Sequence, residues 1–297
     1  GDSGKVTITD AAALGSSRGN SSVRGTIVDL KGIGTTTEPW EVGDNGGLRN
    51  SAQDAATLLE GTVTLADKWG GNANYFAGGD IHVTGDIVNS GGTNFTRIGP
   101  GTLTISGASD PAGTATFTGG AVVLDHTTDN TDKLNSSGNL NLYGTQLTLL
   151  GNDGAASSQT VGNLNVGRGG AVGVAVESGT DQDASFTFDG LNFVAGASSL
   201  SLGQVIDFST TDNGTGDATI TGTSVSNDAS GIIHRGATHN GTSWAMVDGS
   251  NEIVGLPDGS YSSTITADTH VSVGTGTSTV GSDVEIETLR FNAPGAA

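Results

Sequence analysis

Residues 140–151, LNLYGTQLTLLG, hold two alternating apolar pairs, Leu140/Leu142 and Leu147/Leu149, separated by Gly144. Successive side chains of a strand point to opposite faces, so an apolar residue at every second position marks a strand buried on one side. The same short unit recurs along the chain: Val6/Ile8, Val63/Leu65, Ile81/Val83, Leu103/Ile105, Val122/Leu124, Leu164/Val166 and Val172/Val174/Val176. It continues with Phe186/Phe188, Leu191/Phe193, Leu200/Leu202, Val271/Val273, Val284/Ile286 and Leu289/Phe291. Strands of roughly three to five residues lie at the short end for globular proteins. A chain built from such pieces has to gain its core by repeating a small unit.

The strand–glycine–strand corners supply that repeat. HVTGDIV bends at Gly85, RIGPGTLTI at Gly101, TFTGGAVVL at Gly120, LYGTQLTL at Gly144 and NVGRGGAVGV at Gly169, in steps of 16, 19, 24 and 25 residues. A unit recurring every 20 to 25 residues or so is the signature of a solenoid. Glycine at the corner permits a backbone conformation closed to other residues and leaves no side chain to collide with the next coil. The expected fold is all-β, a parallel β-helix rod with irregular loop insertions. At ~4.8 Å between stacked strands it would form on the order of 12 to 15 coils, ~60–70 Å long. The rival, a β-sandwich, needs longer strands joined by tight hairpins. Asn-Gly at Asn45, Asn213 and Asn240, and Asp-Gly at Asp153, Asp189, Asp248 and Asp258, would allow hairpins, mainly in the last third.

Four regions are expected: irregular coils over 1–60, a regular solenoid over 61–210, loop-rich coils over 211–265, and further solenoid strands over 266–297 leading into a following repeat. NSAQDAATLLE (50–60) carries Ser51 as an N-cap ahead of Asp54 and a run of Ala and Leu, which predicts either a short helix or an insertion on a coil.

Composition narrows the function classes. Of 297 residues 50 are glycine, against a usual share of about 7%, and only 14% are charged where about 25% is common. Orderly alternation of the 34% hydrophobic residues argues against disorder. The net charge of −20 repels phosphate backbones and disfavours nucleic acid. Cysteine is absent, which excludes disulfides and thiolate metal sites. No apolar run approaches the ~20 residues of a membrane span.

FTRIGPGTLTISGASDPAGTATFTGGAVVLDHTTDNTDKLNSSGNLNLYGTQLTLLG (95–151) resembles the autotransporter-associated β-strand repeat, also called the passenger-associated transport repeat. Gly99–Gly107 match the G-x-GTLTLSG core of that family; the second half of the repeat is degraded to GTATFTGGAVVL. Stretches 157–176, 241–256 and 287–297 are similar to segments that accompany such repeats in very large bacterial surface proteins. The resemblance implies a β-helix rod on the outside of a bacterial cell, as a passenger, stalk or adhesive fibre. It carries no catalytic residues to transfer.

Candidate chemistry is sparse. His234 and His239 lie five apart, on opposite faces if extended, with no partner at metal-site spacing. Asp181 and Asp183 would share a side if extended, as carboxylates do in a glycosidase or cation site, but polar turn residues account for them equally. TDNGTGD (211–217) is only faintly like a calcium loop and would give no more than weak, incidental Ca²⁺ binding. Trp40, Trp69, Trp244, Tyr75, Tyr143 and Tyr261 share no period that would make a sugar platform, and partial burial under loops is the simpler reading. No catalytic, cofactor-binding or metal residue is expected; the named positions are the structural corner glycines Gly85, Gly101, Gly120, Gly144 and Gly169. The expected role is an extracellular structural segment, not an enzyme, stacking head to tail with itself. The alternatives are a module gripping a glycan or cell-surface receptor through loops 36–60 or 211–262, and a β-helix carbohydrate-active enzyme. The apolar alternation runs close to both ends, Val6/Ile8 and Leu289/Phe291, with no cap evident, which suits end-to-end continuity.

Overall fold

The computed structural model describes residues 5–7, 21–24, 26–43, 45–52, 54–66, 73–89, 94–194, 203–274 and 283–291. Ile8, Trp69, Leu200 and Leu202 lie outside these. The chain is all-β and winds as a parallel solenoid whose strands pair with partners one coil away. Three faces make up a coil. The first carries β1 (Lys5–Thr7), β3 (Ile27–Asp29), β6 (Gly47–Asn50), β9 (Ala73–Gly78), β12 (Asn94–Ile98), β15 (Ala115–Thr118), β17 (Leu140–Tyr143), β20 (Leu164–Val166) and β23 (Leu191–Phe193). The second carries β4 (Gly34–Thr36), β7 (Thr57–Leu59), β10 (Ile81–Val83), β13 (Thr102–Ile105), β16 (Ala121–Asp125), β18 (Gln146–Leu150), β21 (Val172–Glu177), β24 (Ile206–Thr211) and β26 (Ala237–His239).

The third face is split. Its first part holds β2 (Ser21–Arg24), β5 (Trp40–Gly43), β8 (Val63–Ala66), β11 (Ile87–Asn89) and β14 (Ser109–Asp110); its second holds β19 (Ser157–Thr160), β22 (Ala184–Phe188) and β25 (Ala218–Gly222). Between them, in the coil of β15 and β16, residues 126–139 form no strand.

Register turns the alternation into a core. Leu59, Val83, Ile105, Leu124, Leu149 and Val176 stack one above another on the second face, each almost wholly buried. On the first face Leu48, Phe76, Arg97, Phe117, Leu142 and Val166 form the corresponding row. Phe95 packs edge-on between Phe76 and Phe117, at 5.5 and 5.8 Å between ring centroids. Edge-to-face packing of this kind suits the aromatic quadrupole.

Several expectations are corrected. Residues 50–60 contain no helix among those described. Asn50 ends β6 and ties the corner with its amide, donating to the carbonyls of Ala55 and Asp80, and β7 follows. Regular coils therefore begin well before residue 60. Coil length also varies, from 19 residues between Leu103 and Val122 to 34 between Val174 and Phe208. Among the described residues the second face stacks nine parallel strands, ~40 Å at ~4.8 Å each, instead of 12 to 15 coils. Val284 and Ile286 precede the last strand and belong to none.

The end of the stack near residue 237 is covered by the chain itself. After β26 the chain reverses at Asn240 (φ 51°) and Gly241 (φ 61°) and forms β27 (Ser243–Val247) and β28 (Ile253–Gly255), both antiparallel. Positive φ at both positions is what a tight hairpin needs, and Asn-Gly supplies it at low cost. β28 then reaches the third face: Thr221 and Glu252 bridge, and the Gly222 amide donates to the Asn251 carbonyl at 3.0 Å. Ala245, Val247 and Ile253 are thereby buried over the last coil. A separate parallel sheet follows, of β29 (Tyr261–Ser262), β30 (His270–Val273) and β31 (Thr288–Phe291).

Candidate functional site

All five corner glycines lie between strands. Gly101, Gly120, Gly144 and Gly169 turn the chain from the first face to the second, whereas Gly85 turns it from the second to the third. The 16-residue step from Gly85 to Gly101 therefore joins two different corners and is not a coil length. Gly85 stacks in its own column: a Cβ on it would lie 2.3 Å from the Gly61 carbonyl oxygen, and one on Gly107 would lie 2.3 Å from that of Gly85. Gly144 shows both demands on a corner. Its φ is +58°, and a Cβ would come within 2.2 Å of the Gly169 carbonyl oxygen.

Where the third face lacks a strand, side chains do a ladder's work. The Lys133 side chain is fully buried, and its ammonium donates to the Gly107 and Asp129 carbonyls, each at 2.9 Å, and to Asp129 Oδ1 at 2.8 Å. That bond from Lys133 is the main reason the Asp129 carboxyl sits well below its usual range. On one side Ser109 of β14 donates to the Lys133 carbonyl; on the other, Gln159 Oε1 of β19 accepts from the Lys133 and Leu134 amides, and its Nε2 donates to the Leu134 carbonyl. Leu134 enters the core between them. Beside this plug His126 is buried with neither ring nitrogen bonded, and burial first, then Lys133, lowers its pKa to about 4.

Two further polar devices escaped sequence reasoning. Asn141 donates to Thr116, Asn165 to Asn141 and Asn192 to Asn165, at 3.0, 2.7 and 2.9 Å, forming a ladder along the first face. Its signal was present as Leu-Asn-apolar triplets at 140–142, 164–166 and 191–193. Arg97 occupies a core row and turns its fully buried guanidinium onto corner carbonyls, including that of Gly78 at 2.9 Å. Nothing in its spacing distinguishes it from a surface arginine.

The other candidates are engaged structurally. Asp181 Oδ1 accepts from the Thr215 amide and hydroxyl, and Asp183 Oδ1 from the Asp217 amide, so each carboxylate binds the following coil. The turn within 211–217 stacks on the turn at 179–182, with Asp212 accepting from the Ala218 amide. His234 stacks on Phe193 at 3.8 Å and accepts from the Gly236 amide, while burial lowers the pKa of both His234 and His239. Trp40 is buried; Tyr75, Tyr143, Trp244 and Tyr261 are half-buried. Among the described residues no group of three or more His, Asp or Glu is arranged to hold a metal, and no helix is long and apolar enough to cross a membrane.

Two concavities among the described residues bear on function. One, of ≈ 460 Å³, lies at the seam between the covered end and the last sheet. There His270 bonds the Ser230 carbonyl and Thr288, Tyr261 bonds the Trp244 amide, and Arg290 stacks 3.5 Å over Tyr261 while pairing with Asp258. The other, a trough of ≈ 450 Å³, lies on the outer side of the first face among Ile27, Asn45, Arg49, Tyr75, Ala77 and Ile98. No family model, curated protein or solved structure matches this chain.

Proposed function

We propose that the chain is a structural segment of an extracellular β-solenoid, as in a bacterial surface fibre, stalk or autotransporter-like passenger, and that segments stack end to end. The observation that carries this reading is the edge strand β31. Leu289 pairs with the buried Val271 and Phe291 with Val273, so the two residues extend an apolar column, yet they are 40% and 71% exposed. Among the described residues β31 has no strand on its other edge, and an apolar column ending at such an edge is a template for a further coil. Such a contact is head-to-tail and does not close on itself, which permits a fibre. Because β27 and β28 cover the main stack, continuity on this side runs through the last sheet. The family resemblance of residues 95–151 and the −20 charge, which keeps rods from clumping sideways, agree with a surface location.

Sedimentation and negative-stain imaging of the purified chain test the proposal. End-to-end dimers or filaments, abolished by Leu289→Lys with Phe291→Asp, are expected. A chain that stays monomeric at high concentration would sink it.

A second reading, a glycan- or receptor-binding module, is favoured by the outer trough. For a carbohydrate-active enzyme there is no comparable support, since Asp181 and Asp183 are spent on backbone amides.

A further inference from the structure

We propose that the trough on the outer side of the first face binds a carboxylated sugar, its apolar ring face against Tyr75 and Ile98 and its carboxylate on Arg49. The proposal is independent of end-to-end stacking. It rests on how stacked coils place outward residues. Gly47 lies in register with Tyr75, and Arg49 with Ala77 and then Ile98, so outward positions alternate between large and small from coil to coil. A Cβ at Gly47 would come 2.8 Å from that of Tyr75, so a larger residue there would crowd the tyrosine. At the corner Gly78 (φ +88°) and Gly99 (φ +123°) stack as bare backbone, and the Arg49 stem runs beside Gly78. The result is a recess with apolar walls, Ile27 37% and Ile98 43% exposed, and one aromatic ring.

Charge selects the ligand. The chain has 31 acidic and 11 basic residues, yet none of the described residues lining the trough is acidic, and Arg49 is their cation; Asp29, in register with Arg49 on the coil before, is buried and accepts from the Lys31 and Ser51 amides. Arg49 forms no ion pair with another described residue. A neutral sugar needs several side-chain hydrogen-bond partners around its hydroxyls. The strand backbone here is committed to the ladders, and beside Arg49 the described polar side chains are those of Thr26, Asn45 and Tyr75, few for the hydroxyls of a neutral sugar. A guanidinium instead matches a carboxylate in a planar two-point contact, and the pair is strongest with low-dielectric walls beside it. The net charge of −20 repels polyanions more strongly than it repels a single carboxylate, so single-carboxylate sugars are favoured over sulfated polymers.

The test is ligand-observed NMR titration of the whole chain with sodium glucuronate, N-acetylneuraminate, glucose and decanoate. Uronate and sialate arms distinguish the two sources of a carboxylated sugar. Millimolar binding of one or both, with glucose about tenfold weaker or absent, is expected. Arg49→Gln should weaken binding about tenfold while Arg49→Lys keeps part of it, and Tyr75→Ala should weaken it without changing the thermal midpoint. Equal binding of glucose, unaltered binding by Arg49→Gln, binding of decanoate alone, or no binding at tens of millimolar would each overturn the proposal.

Discussion

The third face of the solenoid is built twice, and its two parts are joined by something else. From β2 to β14 and again from β19 to β25, neighbouring coils are tied by backbone amides and carbonyls in register. Between them, residues 126–139 hold the same position through the side chains of Lys133, Gln159 and Ser109. A backbone ladder satisfies its polar groups whatever the sequence, so it tolerates Val, Thr, Ser or Phe alike. The plug satisfies the same kind of groups only with particular residues. Its stability is therefore concentrated in a few side chains, whereas that of the ladder is spread over many.

The contrast is broken most directly at Lys133. Lys133→Met fills nearly the same volume but leaves the Gly107 and Asp129 carbonyls and the Asp129 carboxylate without their shared donor. A loss of about 3 kcal/mol or more is expected, read from the urea midpoint, with hydrogen exchange accelerating first over 126–139. An unchanged midpoint would show that the plug is incidental to the rod.

The ladder's own weak point is its corners. Gly144→Val forces a β-branched side chain into a left-handed conformation and against the Gly169 carbonyl, so about 2 kcal/mol or more should be lost. Melting of Gly144→Val at the wild-type temperature would remove the steric account of the corner glycines.

The effect smallest at neutral pH is the acid sensitivity of the plug. His126 is held neutral by burial, its pKa lowered from 6.5 to about 4. The unfolded chain therefore takes up a proton at higher pH than the folded one. Stability from this group is complete above about pH 6.5 and is lost progressively as pH falls toward 4. Since His82, His234 and His239 are shifted in the same direction, the informative measurement is the difference in midpoint between wild type and His126→Phe across that range. A difference that does not grow on acidification would place the acid response elsewhere.

The architecture was legible because alternation and glycine corners report directly on backbone geometry. Pairs such as Leu103/Ile105 and Val122/Leu124 could only be half-buried strands, and Gly101 and Gly120 could only be turns between them. Gly85 was legible as a bend but not as a bend at a different corner, since a linear spacing carries no label for which face follows. Of the two readings open for 50–60, a short helix or an insertion on a coil, the helix failed for a related reason. Ala and Leu favour a helix locally, yet Asn50 is already spent on carbonyls of its own corner and of the next coil, and tertiary pairing overrides propensity.

By itself the sequence determined the class of fold, the absence of cysteine chemistry, the acidic surface and the positions where backbone must bend without a side chain. These depend on residues one or two places apart, so a one-dimensional pattern contains them. Only the tertiary structure decided that Asp181 and Asp183 serve backbone amides, that Lys133 and Arg97 are buried cations, and that β28 covers the stack. It also decided that Arg49 faces Ile98 across two coils. Each of these is a contact between residues about 20 to 50 positions apart, set by the varying lengths of the intervening coils, and coil length is fixed by packing against the coil before.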